Sequence, residues 1–223
     1  MTRVDVRLAR SGAPATRATA GLVLVHGRGG SAADILGLGE ALGLPDLTLI
    51  APEAPGRSWW PTSFLASMAE MENPLNKGLE ALESAVTTLE AEGLSRNRIA
   101  VAGFSQGACL ALEYAARAGA GLHSVYGLSG GLVGTADKGD PSPALYGFSD
   151  KALDYNSALN GLPVYVSVHA QDPHIPLRRA EDSIAAFQRI GASTRLEVAP
   201  GPGHGLLQAD VEALRGGLNS PDG

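Results

Sequence analysis

Cysteine is almost missing from the chain: one, Cys109, stands among 223 residues. An internal disulfide is excluded, and a reducing compartment is permitted. Long hydrophobic runs are missing too. Stretches such as "LVLV" at 22–25 fall far short of the ~20 residues that span a bilayer. The opening "MTRVDVRLARSG" alternates apolar and polar residues and lacks the continuous apolar core of a secretory signal. These absences set the expectation of a cytoplasmic protein without membrane insertion. Lys and Arg number 17 against 23 Asp and Glu, a formal net charge of −6. No basic stripe appears, which argues against a nucleic-acid partner. Internal repeats and linkers are also absent, so one domain is expected over residues 1–223.

What is present is globular: 44% apolar and 18% charged residues. Short apolar runs recur at 4–8, 21–26, 47–52, 98–103, 123–129, 163–169 and 194–200. Several are apolar on both faces, as buried parallel strands are. Helical patterns lie between them, at 31–43, 74–92, 105–118, 177–190 and 206–217. In 74–92, Leu75, Leu79, Leu82, Val86 and Leu89 share one face, with Pro74 near the start and Gly93 at the stop. Strands alternating with helices predict an α/β fold, a mostly parallel central sheet with helices on both faces. Residues 53–73 and 130–161 break the rhythm and read as long loops, which are candidate walls of a site.

The segment "IAVAGFSQGACLALEYAARA" at 99–118 joins a strand, a Gly-X-Ser-X-Gly turn and a helix. A serine on such a sharp turn stands exposed at the carboxyl end of the sheet, and the flanking Gly103 and Gly107 let backbone pass close by. Ser105 is therefore a candidate nucleophile. A serine nucleophile needs a base, and the base an orienting acid, in the chain order serine, acid, histidine. Of five histidines, only His204, in "APGPGHGLL", follows the last strand in a Gly/Pro loop. Asp172 follows the preceding strand, and Pro173 stops that strand. Asp140, Asp150 and Asp154 lie in the long loop and suit the role less. Candidate oxyanion donors are the backbone N–H groups of Gln106 and of Arg28 in "HGRGG". That loop lacks the Lys-Ser/Thr ending of a phosphate cradle. Trp59, Trp60, Phe64 and Leu65 are candidates to line an acyl pocket, with ordinary core packing as the competing reading. Asp172 and His174 lack a third ligand at suitable spacing, so no metal is expected. Cys109 reads as a small buried apolar residue.

The pieces "LVLVHGRGG", "APEAPGRSWWP", "IAVAGFSQGACLAL", "GLSGGL", "DPHIP" and "GPGHG" span residues 20–207. In that order they resemble the phospholipase/carboxylesterase family of α/β-hydrolases, which includes acyl-protein thioesterases and small bacterial carboxylesterases. The resemblance implies an α/β-hydrolase fold with no separate cap domain. It implies a Ser105–Asp172–His204 triad, backbone donors at Arg28 and Gln106, and hydrolysis of carboxylic or thio esters without cofactor. The expected substrate is a small-molecule ester with a short to medium acyl chain. The alternatives are a thioesterase, a lysophospholipase, or a non-catalytic binding protein of the same fold, acting as monomer or homodimer. The chain departs from the family's usual pattern at Arg28, Pro61 and His169, which argues against protein depalmitoylation.

Overall fold

Strands that are apolar on both faces need cover on both faces, and the chain supplies it with helices at most of its crossovers. The computed structural model describes residues 6–137 and 151–219. The strands are β1 (Leu8–Gly12), β2 (Ala20–Val25), β3 (Leu47–Pro52), β4 (Ile99–Phe104), β5 (Ser124–Leu128), β6 (Pro163–Gln171) and β7 (Ser193–Pro202). The helices are α1 (Ala32–Glu40), α2 (Met68–Ala91), α3 (Gln106–Ala118), α4 (Leu177–Arg189) and α5 (Gln208–Leu218). The sheet runs β1-β3-β2-β4-β5-β6-β7. Only β1 is antiparallel to its neighbour. This is the α/β-hydrolase fold, and no separate cap is seen among the described residues.

Alternation along each strand divides the core in two. Val23, Val25 and Val101 join Leu75, Leu82, Leu110 and Phe187 of α2, α3 and α4 on one face. Leu22, Leu24, Ala100 and Ala102 join Ile35, Leu36, Leu214 and Leu218 of α1 and α5 on the other.

Two elements differ from the sequence reading. The first described strand is Leu8–Gly12; of the run expected at 4–8, residues 4 and 5 lie outside the described residues and 6 and 7 precede the strand. It is an edge strand, half exposed, and so carries no apolar run to mark it. Helix α2 begins at Met68, with Pro74 inside it. Met71 and Leu75 are both buried on the face that continues to Leu82, and this packing outweighs the one backbone bond the proline removes. Residues 53–73 are thus not one long loop; they hold a 3₁₀ turn at Pro55–Arg57 and the first turns of α2. Of the loop expected over 130–161, residues 138–150 lie outside the described residues. Its described flanks are anchored by Glu113 of α3, whose side chain is fully buried. That carboxylate accepts from Val133 N (2.9 Å), Lys151 Nζ (2.8 Å) and Tyr155 Oη (2.6 Å) and pairs with Arg117. Burial pushes the Glu113 carboxyl up, but Lys151 and Arg117 outweigh it and hold the group below its ordinary value.

The glycines divide by what surrounds them. A Cβ on Gly107 would stand 2.1 Å from Val25 O, backbone against backbone, whereas one on Gly37 of α1 would meet nothing within 4 Å. Gly107→Ala is expected to cost more than about 3 kcal/mol, beyond ordinary overpacking. Gly37→Ala is expected to stabilise by about 0.5–1 kcal/mol, since a helical glycine gives up conformational freedom for nothing there. Denaturant melts of the two variants check this pair; equal effects would contradict it.

Candidate active site

The geometry begins with two glycines that are small for different neighbours. A Cβ on Gly103 would lie 2.1 Å from Gly107 O. One on Gly107 would collide with Val25 O. Neither glycine has positive φ; close backbone approach alone requires them. Between them Ser105 takes φ 55°, ψ −118°, a conformation an L-residue adopts only when its surroundings force it. Its N–H donates to Leu128 O (2.9 Å), and its carbonyl accepts the first helical bond from Cys109 N (3.0 Å).

Ser105 Oγ lies 2.8 Å from His204 Nε2, and His204 Nδ1 lies 2.8 Å from Asp172 Oδ2. The carboxylate is an acceptor, so Nδ1 carries the proton and Nε2 is left to accept from the serine hydroxyl. The Asp172 side chain is fully buried and that of His204 is 17% exposed. Asp172 uses both oxygens: Oδ1 accepts from His174 N (2.8 Å) and Ile175 N (2.9 Å), fixing the turn after β6, while Oδ2 faces the imidazole. It does not cap α4, whose first turn is preceded by Pro176. The His204 ring is flanked by Phe104 and by the exposed His174, with ring centres 5.5 and 4.8 Å away. His169 packs against Gly203, where a Cβ would lie 2.5 Å from its ring. Asp154 is exposed, and Asp140 and Asp150 lie outside the described residues.

The backbone N–H groups of Arg28 and Gln106 have no acceptor among the described residues. Gln106 N–H belongs to the first turn of α3, where the helix dipole favours negative charge. The Arg28 loop lies against the serine: a Cβ on the adjacent Gly27 would be 3.4 Å from Ser105 Cβ. Gly29 N–H donates to Arg57 O (2.8 Å), and Gly29 has φ +79°, the one loop position here that needs glycine for its dihedral. The Arg28 guanidinium is neither free in solvent nor poised for a ligand carboxylate. It donates to Pro61 O (2.8 Å) and to Thr62 O, clamping this loop to residues 61–62.

The aromatic segment sits deeper than an exposed pocket wall. Trp59, Trp60, Phe64 and Leu65 are 6%, 1%, 8% and 2% exposed and belong to the main core. Core packing is therefore the larger part of their role. Two side chains explain why the segment turns inward: that of Gln106, for which the sequence reading assigns only the backbone N–H, and that of His26, to which it assigns no role. The Gln106 side chain accepts from Trp59 N (2.9 Å) and donates to Trp60 O (2.8 Å). His26, 1% exposed, accepts from Ala54 N on Nε2 (3.1 Å), which leaves the proton on Nδ1 for Gly27 O (2.8 Å). Its carbonyl takes the indole N–H of Trp59 (2.9 Å). For both side chains the sequence signal is a polar group flanked by apolar runs, which does not say what it binds.

The family model described as Phospholipase/Carboxylesterase matches residues 9–138. This chain belongs to the phospholipase/carboxylesterase family. It is 31% identical to a phospholipase/carboxylesterase from Dyadobacter fermentans, with 99% of each chain covered and a TM-score of 0.84. Esterase PE8 shares the fold at 23% identity, covering 96% of this chain and 97% of its own, with a TM-score of 0.75. Mouse lysophospholipase-like protein 1 is 24% identical over 222 residues, 91% of this chain and 87% of that protein. The chain is thus an α/β hydrolase of the esterase, thioesterase or lysophospholipase type. No helix among the described residues is long and apolar enough to cross a membrane.

Within this family member the lone thiol stands one helical turn beyond the serine. Burial pushes Cys109 up to about 12. A thiol with that value stays protonated through pH 8 and is a poor nucleophile. Titration of the native protein with a thiol reagent at pH 8 is expected to count no reactive cysteine, and one after denaturation. Rapid stoichiometric reaction of the native protein would contradict the burial.

Proposed function

We propose that the protein is a serine carboxylesterase acting on short to medium acyl esters. The observation that carries this reading is the unbroken line Ser105 Oγ, His204, Asp172, with 2.8 Å at each step. In this reading Ser105 Oγ attacks the acyl carbonyl carbon while His204 Nε2 takes its proton. The developing oxyanion is held by the N–H groups of Arg28 and Gln106. His204 then returns the proton to the departing alcohol oxygen, leaving an acyl-enzyme. Water attacks the acyl carbon, loses a proton to His204, and the carboxylic acid leaves as Ser105 recovers its hydrogen. Asp172 keeps Nδ1 protonated and stabilises the imidazolium formed in both halves. None of these steps calls for a metal or cofactor. The substrate is a small molecule and the setting is cytoplasmic.

The chain-length preference is supported by the pinned aromatic segment. Residues 58–66 are tied to α3 by Gln106, to the Arg28 loop by its guanidinium, and to residues 134–135 through Phe64 O and Leu65 O. A segment held at so many points leaves little freedom to open a long acyl channel. Each acyl CH₂ gains about 0.8 kcal/mol only while wall remains to cover it.

Ser105→Ala is expected to abolish ester turnover without lowering the melting temperature. Asp172→Asn is expected to lose on the order of 10⁴-fold in kcat. Residual turnover above a trace in the first variant, or a wild-type rate in the second, would remove the assignment. With p-nitrophenyl esters, kcat/KM is expected to peak in the range of roughly C2 to C8 and to fall for palmitoyl esters. A preference for C16, or a jump in rate above the critical micelle concentration, would overturn the chain-length part alone.

A further inference from the structure

His204 stands on a loop rich in glycine and proline, yet its ring must stay within hydrogen-bond reach of two partners. Asp172 holds the ring. The loop itself is held on the far side by two side chains with no part in the chemistry above. Ser129, immediately after β5, is fully buried and donates from Oγ to Gly205 O (3.0 Å). Asp210, in the first turn of α5, is also fully buried and accepts from Leu207 N on Oδ2 (2.8 Å). Its other oxygen accepts from Tyr165 Oη of β6 (2.9 Å). The residues one and three places beyond the histidine are thus each fastened to the sheet.

We propose that Ser129 and Asp210 form a two-point brace that positions the His204 imidazole for the hydrolysis assigned above. The proposal rests on that assignment for its catalytic consequence, while the brace itself is geometric. Helix capping alone does not account for Asp210. Asp34 caps α1 in the same way, through Ser31 N (2.9 Å), from an exposed position. Asp210 does so from the interior, where burial pushes its carboxyl above the ordinary value against the pull of its donors. Ser129 carries a comparable burden. It holds φ +54°, a left-handed conformation that a glycine would adopt freely but without an Oγ. Its N–H is fixed to Ser167 O (3.0 Å), so the hydroxyl starts from a defined point on β6. Both positions keep a costly polar group where a cheaper residue would fold, and both groups end on the histidine loop.

The test uses Ser129→Ala, Ser129→Gly and Asp210→Asn in the full-length protein. Three quantities are read: kcat and KM on a short-chain ester, the melting temperature, and the downfield proton resonance of His204 Nδ1–H in the resting protein. Both Ser129 variants are expected to lose about tenfold in kcat, the scale of one hydrogen bond, with KM nearly unchanged. The glycine variant is expected to be no less stable than the alanine one. In all three variants the Nδ1–H resonance broadens or moves upfield as the ring gains freedom. Wild-type kcat with a sharp, unmoved resonance in the Ser129 variants would overturn the brace. So would activity that follows the melting temperature, recovered in Ser129→Gly and lost in Ser129→Ala. The resonance is read without substrate, so it judges the brace even if Ser105→Ala remains active and the hydrolytic assignment falls.

Discussion

One backbone contact organises the site: Gly107, in the first turn of α3, lies against the carbonyls that end β2. A Cβ there would stand 2.1 Å from Val25 O and 2.6 Å from His26 O. This contact drives the start of α3 onto the adjacent strand and leaves Ser105 only a left-handed turn to make the connection. The same strand end is where the Arg28 loop begins. One close approach therefore forms the elbow, orients the free N–H groups at the start of α3, and sets the Arg28 loop beside the serine. A larger residue at 107 disturbs all three together, because they share one point of support.

Around that contact the parts of the site are cross-braced by segments far apart in sequence. The Gln106 amide holds Trp59 and Trp60, the indole of Trp59 holds His26 O, and the Arg28 guanidinium holds Pro61 and Thr62. Most of these groups are buried, so each hydrogen bond avoids the larger penalty of an unpaired polar atom. The result is a cross-tied floor, which suits the proposed hydrolysis because that chemistry depends on preset donors. Asp172 follows the same economy, serving the turn after β6 with one oxygen and the imidazole with the other.

Much of this was legible in the sequence, for definable reasons. Strands buried on both faces, such as β2 and β3, leave apolar runs that need no partner to be read. Ser105, Asp172 and His204 each follow a strand end, and punctuation by glycine and proline marks those ends. The edge strand β1 leaves no apolar run because its residues are half exposed, and the start of α2 is hidden because Pro74 looks like a beginning when only packing shows it is interior. In sequence the aromatic segment reads as pocket wall as readily as core. Its burial is decided by Gln106 and Arg28, which lie 46 residues beyond Trp60 and 33 before Pro61. Ser129 and Asp210 gave no signal, since a buried serine and a first-turn aspartate look ordinary until the loop they fasten is seen.

The central claim is that Ser105 is a nucleophile activated by His204. The most direct measurement is mass spectrometry of the protein after reaction with a fluorophosphonate, with the modified residue mapped by peptide sequencing. The account predicts one adduct per chain, on Ser105, formed rapidly in the native protein and almost not at all in His204→Ala. No adduct, an adduct on another residue, or labelling of Ser105 at an unchanged rate in His204→Ala would contradict it.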